Sequence, residues 1–324
     1  MTGLIPKPAS ELNELNQIDY IKPARLNSYV ETLMVISLLV ILGFGTFQRN
    51  LVWKTDFSLW SDIAEKAPRN YRAHIYLGLV HYSNGQDDSA IAEYKEALRL
   101  NPVAAKAYNN LASIYNEKGL FDEAIAAYSD ALRVDPLSKE ALYNLGTVYE
   151  KKGILGMAIL YYQKALMVKP DFLIARYVLG RAYAQKGLID NAIDQYKQIL
   201  KFAPDEAKAH NNLGIAYDRK GRLREAAYHY KQALKISPQY PQALSNLGIL
   251  YGQEGRIDEA IDLFQRALDL SPDDPITLFN LAFAYEQKRL FNKAAEAYQK
   301  VLKTAPSHAQ AKGRLAAIRG AAAP

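Results

Sequence analysis

Five asparagines, Asn110, Asn144, Asn212, Asn246 and Asn280, occupy one place in a 34-residue rhythm, each directly before a leucine; Tyr76 and Val178 fill the two other places. A primary amide donates and accepts, so a row of amides can pair with the alternating N–H and C=O groups of an extended chain. Each bond is worth about 0.5–1.5 kcal/mol net, which gives affinity with little dependence on the bound sequence. A hydrophobic core would not select asparagine repeatedly, because an unpaired buried amide is costly. An amide that merely satisfies a neighbouring helix end would produce the same column, and that alternative stays open.

Bond-making chemistry has no comparable footing. His74 and His210 share a column with Tyr108 and Leu142, so both read as packing residues. His81 replaces a column tyrosine, His229 is expected on an outer helix face, and His308 falls in the last loop. None is spaced with carboxylates as a zinc site demands. There is no cysteine, which removes disulfides and thiolate chemistry. No catalytic residue, metal or cofactor is expected. The net charge is +6, but lysine and arginine are spread through the repeats as solvated faces rather than gathered in a stripe. No nucleic-acid partner is expected from that distribution.

The elements that position the asparagines follow from the period. Prolines stand at 68, 102, 136, 170, 204, 238, 272 and 306, always 34 apart. Seven copies follow, covering 71–104, 105–138, 139–172, 173–206, 207–240, 241–274 and 275–308. Within each, a leucine such as Leu145 precedes a small residue such as Gly146, and Tyr149 follows four places after the leucine. The second half repeats Ala158, Tyr162 and Leu166 at intervals of four. These spacings put the column residues on one helical face, so each copy is two amphipathic helices. Glycine closes the first helix in six copies, with Arg289 the exception, and proline stops the second. One such unit cannot offset its own ordering entropy, so neighbours must stack.

The pattern L-G-x-x-Y, then A-x-x-x-Y-x-x-A-L, then P resembles the tetratricopeptide repeat. That resemblance implies an all-α, right-handed solenoid whose first helices line a concave groove. It places the asparagine column in the groove, with Lys106, Arg181, Lys208 and Arg219 among the cations on that side, and Glu117, Glu140, Glu150 and Asp218 among the anions. A similar asparagine ladder occurs in O-linked N-acetylglucosaminyltransferase. Lys106 with Asn110 and Asn144, and Lys208 with Asn212 and Asn246, resemble the start of the clamp that grips chaperone C-termini. The further basic residues a clamp needs are Ile174 and Val178, or Ile276 and Asn280, here. A free C-terminal carboxylate is therefore disfavoured, and the implied partner is an internal protein or peptide segment.

Residues 54–70 read as a half repeat carrying Trp60, and 309–324 as a capping helix and tail. Ahead of them, Thr32 to Gln48 contains no charged residue. As helix it spans about 25 Å, and extension over 29–53 approaches the roughly 30 Å of hydrocarbon in a bilayer. The expectation is one transmembrane helix, with residues 1–28 a tail. A cleaved signal peptide fits less well, because the apolar run begins some thirty residues in. Flanking charge does not decide orientation.

Residues 46–78 resemble the junction between the last membrane helix and the repeats of transmembrane O-mannosyltransferase-type proteins. That likeness leans the repeats toward the extracytoplasmic side. The chain lacks the preceding membrane helices and acidic loops of that family, so any transferase activity would come from another polypeptide. The expected function is a membrane-anchored scaffold that binds an extended partner segment. The alternative is an accessory portion of a membrane glycosylation system, presenting acceptor protein to a separate glycosyltransferase subunit.

Overall fold

The computed structural model describes residues 34–39 and 55–321, and every described element is helical. The expected span at 29–53 lies outside the described residues except for 34–39, which are helical. Among the described residues no helix is long and apolar enough to cross a membrane.

The described residues fall into two compact units, one ending at Leu100 and the other beginning at Asn101. The first holds α1 (Asp56–Lys66), α2 (Tyr71–Ser83) and α3 (Asp87–Leu100). Thr55 and Ser58 close a reciprocal capping box at the start of α1. Trp60 of α1 stacks on Tyr76 of α2, with centroids 4.2 Å apart and planes 11° from parallel. Tyr76 thus fills its place in the asparagine column by serving α1.

The second unit repeats one hairpin. Its helices are α4 (Ala105–Glu117), α5 (Phe121–Val134), α6 (Lys139–Lys151), α7 (Leu155–Val168), α8 (Leu173–Gln185), α9 (Ile189–Phe202) and α10 (Ala207–Arg219). They continue with α11 (Leu223–Ile236), α12 (Pro241–Gln253), α13 (Ile257–Leu270), α14 (Pro275–Gln287), α15 (Phe291–Thr304) and α16 (Ala309–Ala321). Within it each helix packs on its sequence neighbours, which makes the unit a solenoid. First helices also touch across repeats, α4 with α6, α10 with α12 and α12 with α14, so the first-helix layer is the inner one.

Close approach inside each hairpin explains the Leu-Gly column. A Cβ added at Gly214 would lie 2.5 Å from Cε1 of Tyr230, and one at Gly146 2.7 Å from Tyr162. In the five repeats with glycine there, the ring of the second helix approaches to where only hydrogen fits, and Ala112 and Ala282 hold the place in the other two. First helices end in a Schellman arrangement: Leu188 N–H donates to Tyr183 O at 2.8 Å and Gly187 N–H to Ala184 O at 3.2 Å. The closing glycines have φ between 71° and 81°, and Arg289 holds the same left-handed conformation at 58°.

Candidate peptide-binding face

The five asparagines stand on the first helices α4, α6, α10, α12 and α14, all half-buried. Asn144, Asn212 and Asn280 make no side-chain hydrogen bond among the described residues. In α4 the enclosed Nδ2 of Asn110 and Oδ1 of Asn109 also have no partner among them. Asn246 differs, because its Nδ2 donates to Oδ1 of Asn211 at 3.1 Å, one repeat earlier, and Asn211 is only 4% exposed.

Two clefts open on this layer. One of about 590 Å³ runs across α10, α12 and α14, with Asn211, Ser245, Asn246 and Thr277 among its walls and Asp273 at one end. Its floor is polar but satisfied, since Thr277 Oγ1 donates to Ser245 Oγ at 2.9 Å. A second, of about 510 Å³, lies between α14 and α16 and is lined by Asn280, Phe283, Gln310 and Arg314. Amide, hydroxyl and aromatic groups side by side suit a backbone with alternating side chains.

The cations are partly committed already. Arg181 donates to both carboxylate oxygens of Glu150, at 2.9 and 3.1 Å, and Glu150 also accepts from Tyr162 Oη at 2.7 Å. The same arrangement recurs where Arg314 donates to Glu286 at 3.0 Å and Tyr298 Oη donates to that carboxylate at 2.8 Å. Arg219 donates to the carbonyl of Ala184 at 3.3 Å. Lys208 sits 5.1 Å over the ring of Tyr177, with no bond to Asn212 or Asn246. Lys106 is exposed. The Lys139 ammonium, hydrogen-bonded to Glu140, lowers that carboxyl below its ordinary range.

One expectation is corrected. His229 does not stand on a solvated outer face; its ring stacks on Tyr217 at 5.4 Å, and its Nδ1 lies 3.0 Å from Nδ1 of His210. Burial, then the neighbouring His210, lowers the His229 pKa to about 4, and burial lowers His210 as well. Sequence reasoning also passed over Asn211, Ser245, Thr277 and Arg314. The doublets Asn109-Asn110 and Asn211-Asn212 were the available signal for the first of these.

Stacked helical hairpins with an amide-bearing inner layer define a solenoid of the protein-interaction class. The chain belongs to the tetratricopeptide repeat family, whose patterns match residues 78–119, 112–153, 140–172, 158–207, 177–241, 211–275 and 253–318. It is 28% identical to YrrB, whose crystal structure is described as a TPR protein with an unusual peptide-binding site, with a TM-score of 0.51 over 57% of this chain and 95% of that one. A tetratricopeptide repeat protein from Parabacteroides merdae shares the fold at 20% identity and a TM-score of 0.61, over 77% of this chain and 98% of that one. Among curated proteins, a protein O-mannosyl-transferase of Homo sapiens is 29% identical over 92 residues, 28% of this chain. A protein O-mannosyl-transferase of Caenorhabditis elegans is 36% identical over 67 residues, 21% of this chain. The match spans about a tenth, 10%, of each of these two relatives.

Proposed function

We propose that the first-helix layer of residues 101–321 binds an extended segment of a partner protein, and that residues 29–53 hold the solenoid at a membrane. The observation that carries the binding is the set of half-buried amides on Asn144, Asn212 and Asn280, left without an internal hydrogen-bond partner on the inner layer. Water satisfies them in the unbound state, and an extended backbone offers the same bonds along a line. The peptide-binding site described for YrrB adds support from a relative of this fold.

The test is affinity capture from detergent extract, read by mass spectrometry, with Asn144, Asn212 and Asn280 changed together to alanine. Partner recovery should fall at least tenfold while thermal unfolding is unchanged; equal recovery removes the inner layer from the reading. Asn246 is left intact in that variant, because its loss would strand the buried carbonyl oxygen of Asn211 and cost stability. For the membrane half, deletion of 29–53 should move the chain from the membrane fraction to the soluble one, and retention in membranes refutes the anchor.

A second reading is favoured by the names of the curated relatives. In it the solenoid is an accessory of a membrane protein-glycosylation system and presents acceptor protein to a separate transferase, with no chemistry of its own. Recovery of a multi-spanning glycosyltransferase in the same capture would select this reading over a general scaffold.

A further inference from the structure

The outer layer of the second unit breaks its own pattern at α7. Met167 fills a column in which every other repeat has a charge: Arg99, Arg133, Lys201, Lys235, Asp269 and Lys303. Of the 14 residues in α7, Lys164 alone is charged, and no acidic residue stands in the first turn. Met167 is 81% exposed and Leu160, two turns earlier, 39%. Leu160 and Met167 lie on one helix face with Lys164 between them, so that face is apolar with a single cation at its centre.

Beside that face lies a groove of about 780 Å³ between α5 and α7, walled by Leu132, Leu137, Tyr161 and Met167 over a floor of Leu142. Pro136 and Leu137 close one end, and Leu137 is 71% exposed. The charged residues of the lining are Arg133 and Lys164, both cationic, and no carboxylate lines it. Arg133 donates to Asp130 at 2.9 Å, and Lys164 stands 5.1 Å from the Tyr161 ring with no carboxylate partner among the described residues. A concave apolar slot takes large side-chain anchors, whereas a flat lipid surface would leave it unfilled.

We infer that the α5–α7 groove is a second docking site, on the layer opposite the asparagines, for an amphipathic helix of a partner protein. That helix carries apolar anchors for the Leu132–Met167 slot and an acidic residue for Lys164, whose ammonium has no carboxylate partner among the described residues. Apolar burial supplies the affinity, and the cationic rim supplies orientation and discrimination against basic helices.

The experiment selects a phage-displayed library of helical peptides against the full chain in detergent. Enriched peptides are then measured by fluorescence anisotropy on the wild type, on Met167→Lys, and on the triple asparagine variant. The expected peptides have an acid-flanked apolar face, bind Met167→Lys at least tenfold more weakly, and bind the asparagine variant as they bind wild type. Their affinity falls as salt rises. Peptides with basic flanks, or peptides indifferent to Met167→Lys and equally to Leu137→Lys, overturn the inference. So does a Met167-dependent binding of phosphatidylserine vesicles, or a Met167-dependent self-association, in place of peptide binding. Met167 is exposed enough that its replacement leaves the melting curve in place, which separates lost docking from lost fold.

Discussion

Arg289 occupies the turn position that six other repeats give to glycine, at φ 58°. A side chain in the left-handed region costs on the order of 1 kcal/mol relative to glycine. Arg289→Gly should therefore slow hydrogen exchange of α14 and α15 by several-fold, and an unchanged rate would show the arginine is compensated. The pair His210 and His229 gives a second expectation at this scale. Both have pKa values lowered in the fold, so the unfolded chain binds more protons as pH falls below about 6.5. The neutral pair's contribution is present above that pH and is lost as pH falls toward about 4 through the folded value of His229. Both rings remain partly solvated, so the loss is on the order of 1 kcal/mol. Urea unfolding at pH 7 and pH 4.5 should show a smaller decline for His229→Gln than for wild type. Equal declines would assign the pH effect to other groups.

At the scale of the helix, the contact between small residue and ring sets the hairpin geometry. Gly214→Ala would push a methyl into Tyr230, and strain of about 1–3 kcal/mol is expected from such overpacking. Adding Tyr230→Leu should recover part of that loss, and strictly additive losses would mean the two do not touch. The hairpins themselves were legible in the sequence, because the columns are repeated with no insertion and periodicity of three and four has one structural meaning. The inner layer was legible only as a column. That Asn246 bonds Asn211, or that Arg181 bonds Glu150, depends on pairs 35 and 31 residues apart, where the turn of one first helix against the next decides which side chains meet. His229 was misplaced for a related reason: its column mixes Glu93, Ala127, Tyr161, Gln195, Leu263 and Ala297, so residue type hides a position that is buried or half-buried in every repeat, and here the ring meets Tyr217. The α7 face was visible as a helix nearly without charge, but its groove needs Leu137 and Leu142, which only the fold brings beside it.

For the second unit as a whole, stability is a sum over neighbours. The terminal helix α16 buries Ala311 and Leu315 against α15, and no further described helix covers the far side. Truncation after residue 308 should cost about 1.5–3 kcal/mol from the Leu315 burial, felt in α14 and α15. Hydrogen exchange should quicken there and stay constant in α4 to α7; acceleration throughout would mean the unit unfolds as one. The ion pairs Lys152 with Asp122, Lys220 with Asp190 and Lys288 with Asp258 recur at every second repeat, but their carboxylates are largely exposed and they add little.

In the proposed binding, the Arg181, Glu150 and Tyr162 chain bears on selectivity rather than strength. An acidic side chain arriving at Arg181 finds the guanidinium already occupied and must displace an incumbent carboxylate, which would then keep only its tyrosine. Such an exchange trades one charge contact for another of similar worth, so a passing carboxylate gains almost nothing by stopping there. Only a guest that engages the neighbouring amides at the same time has a reason to stay.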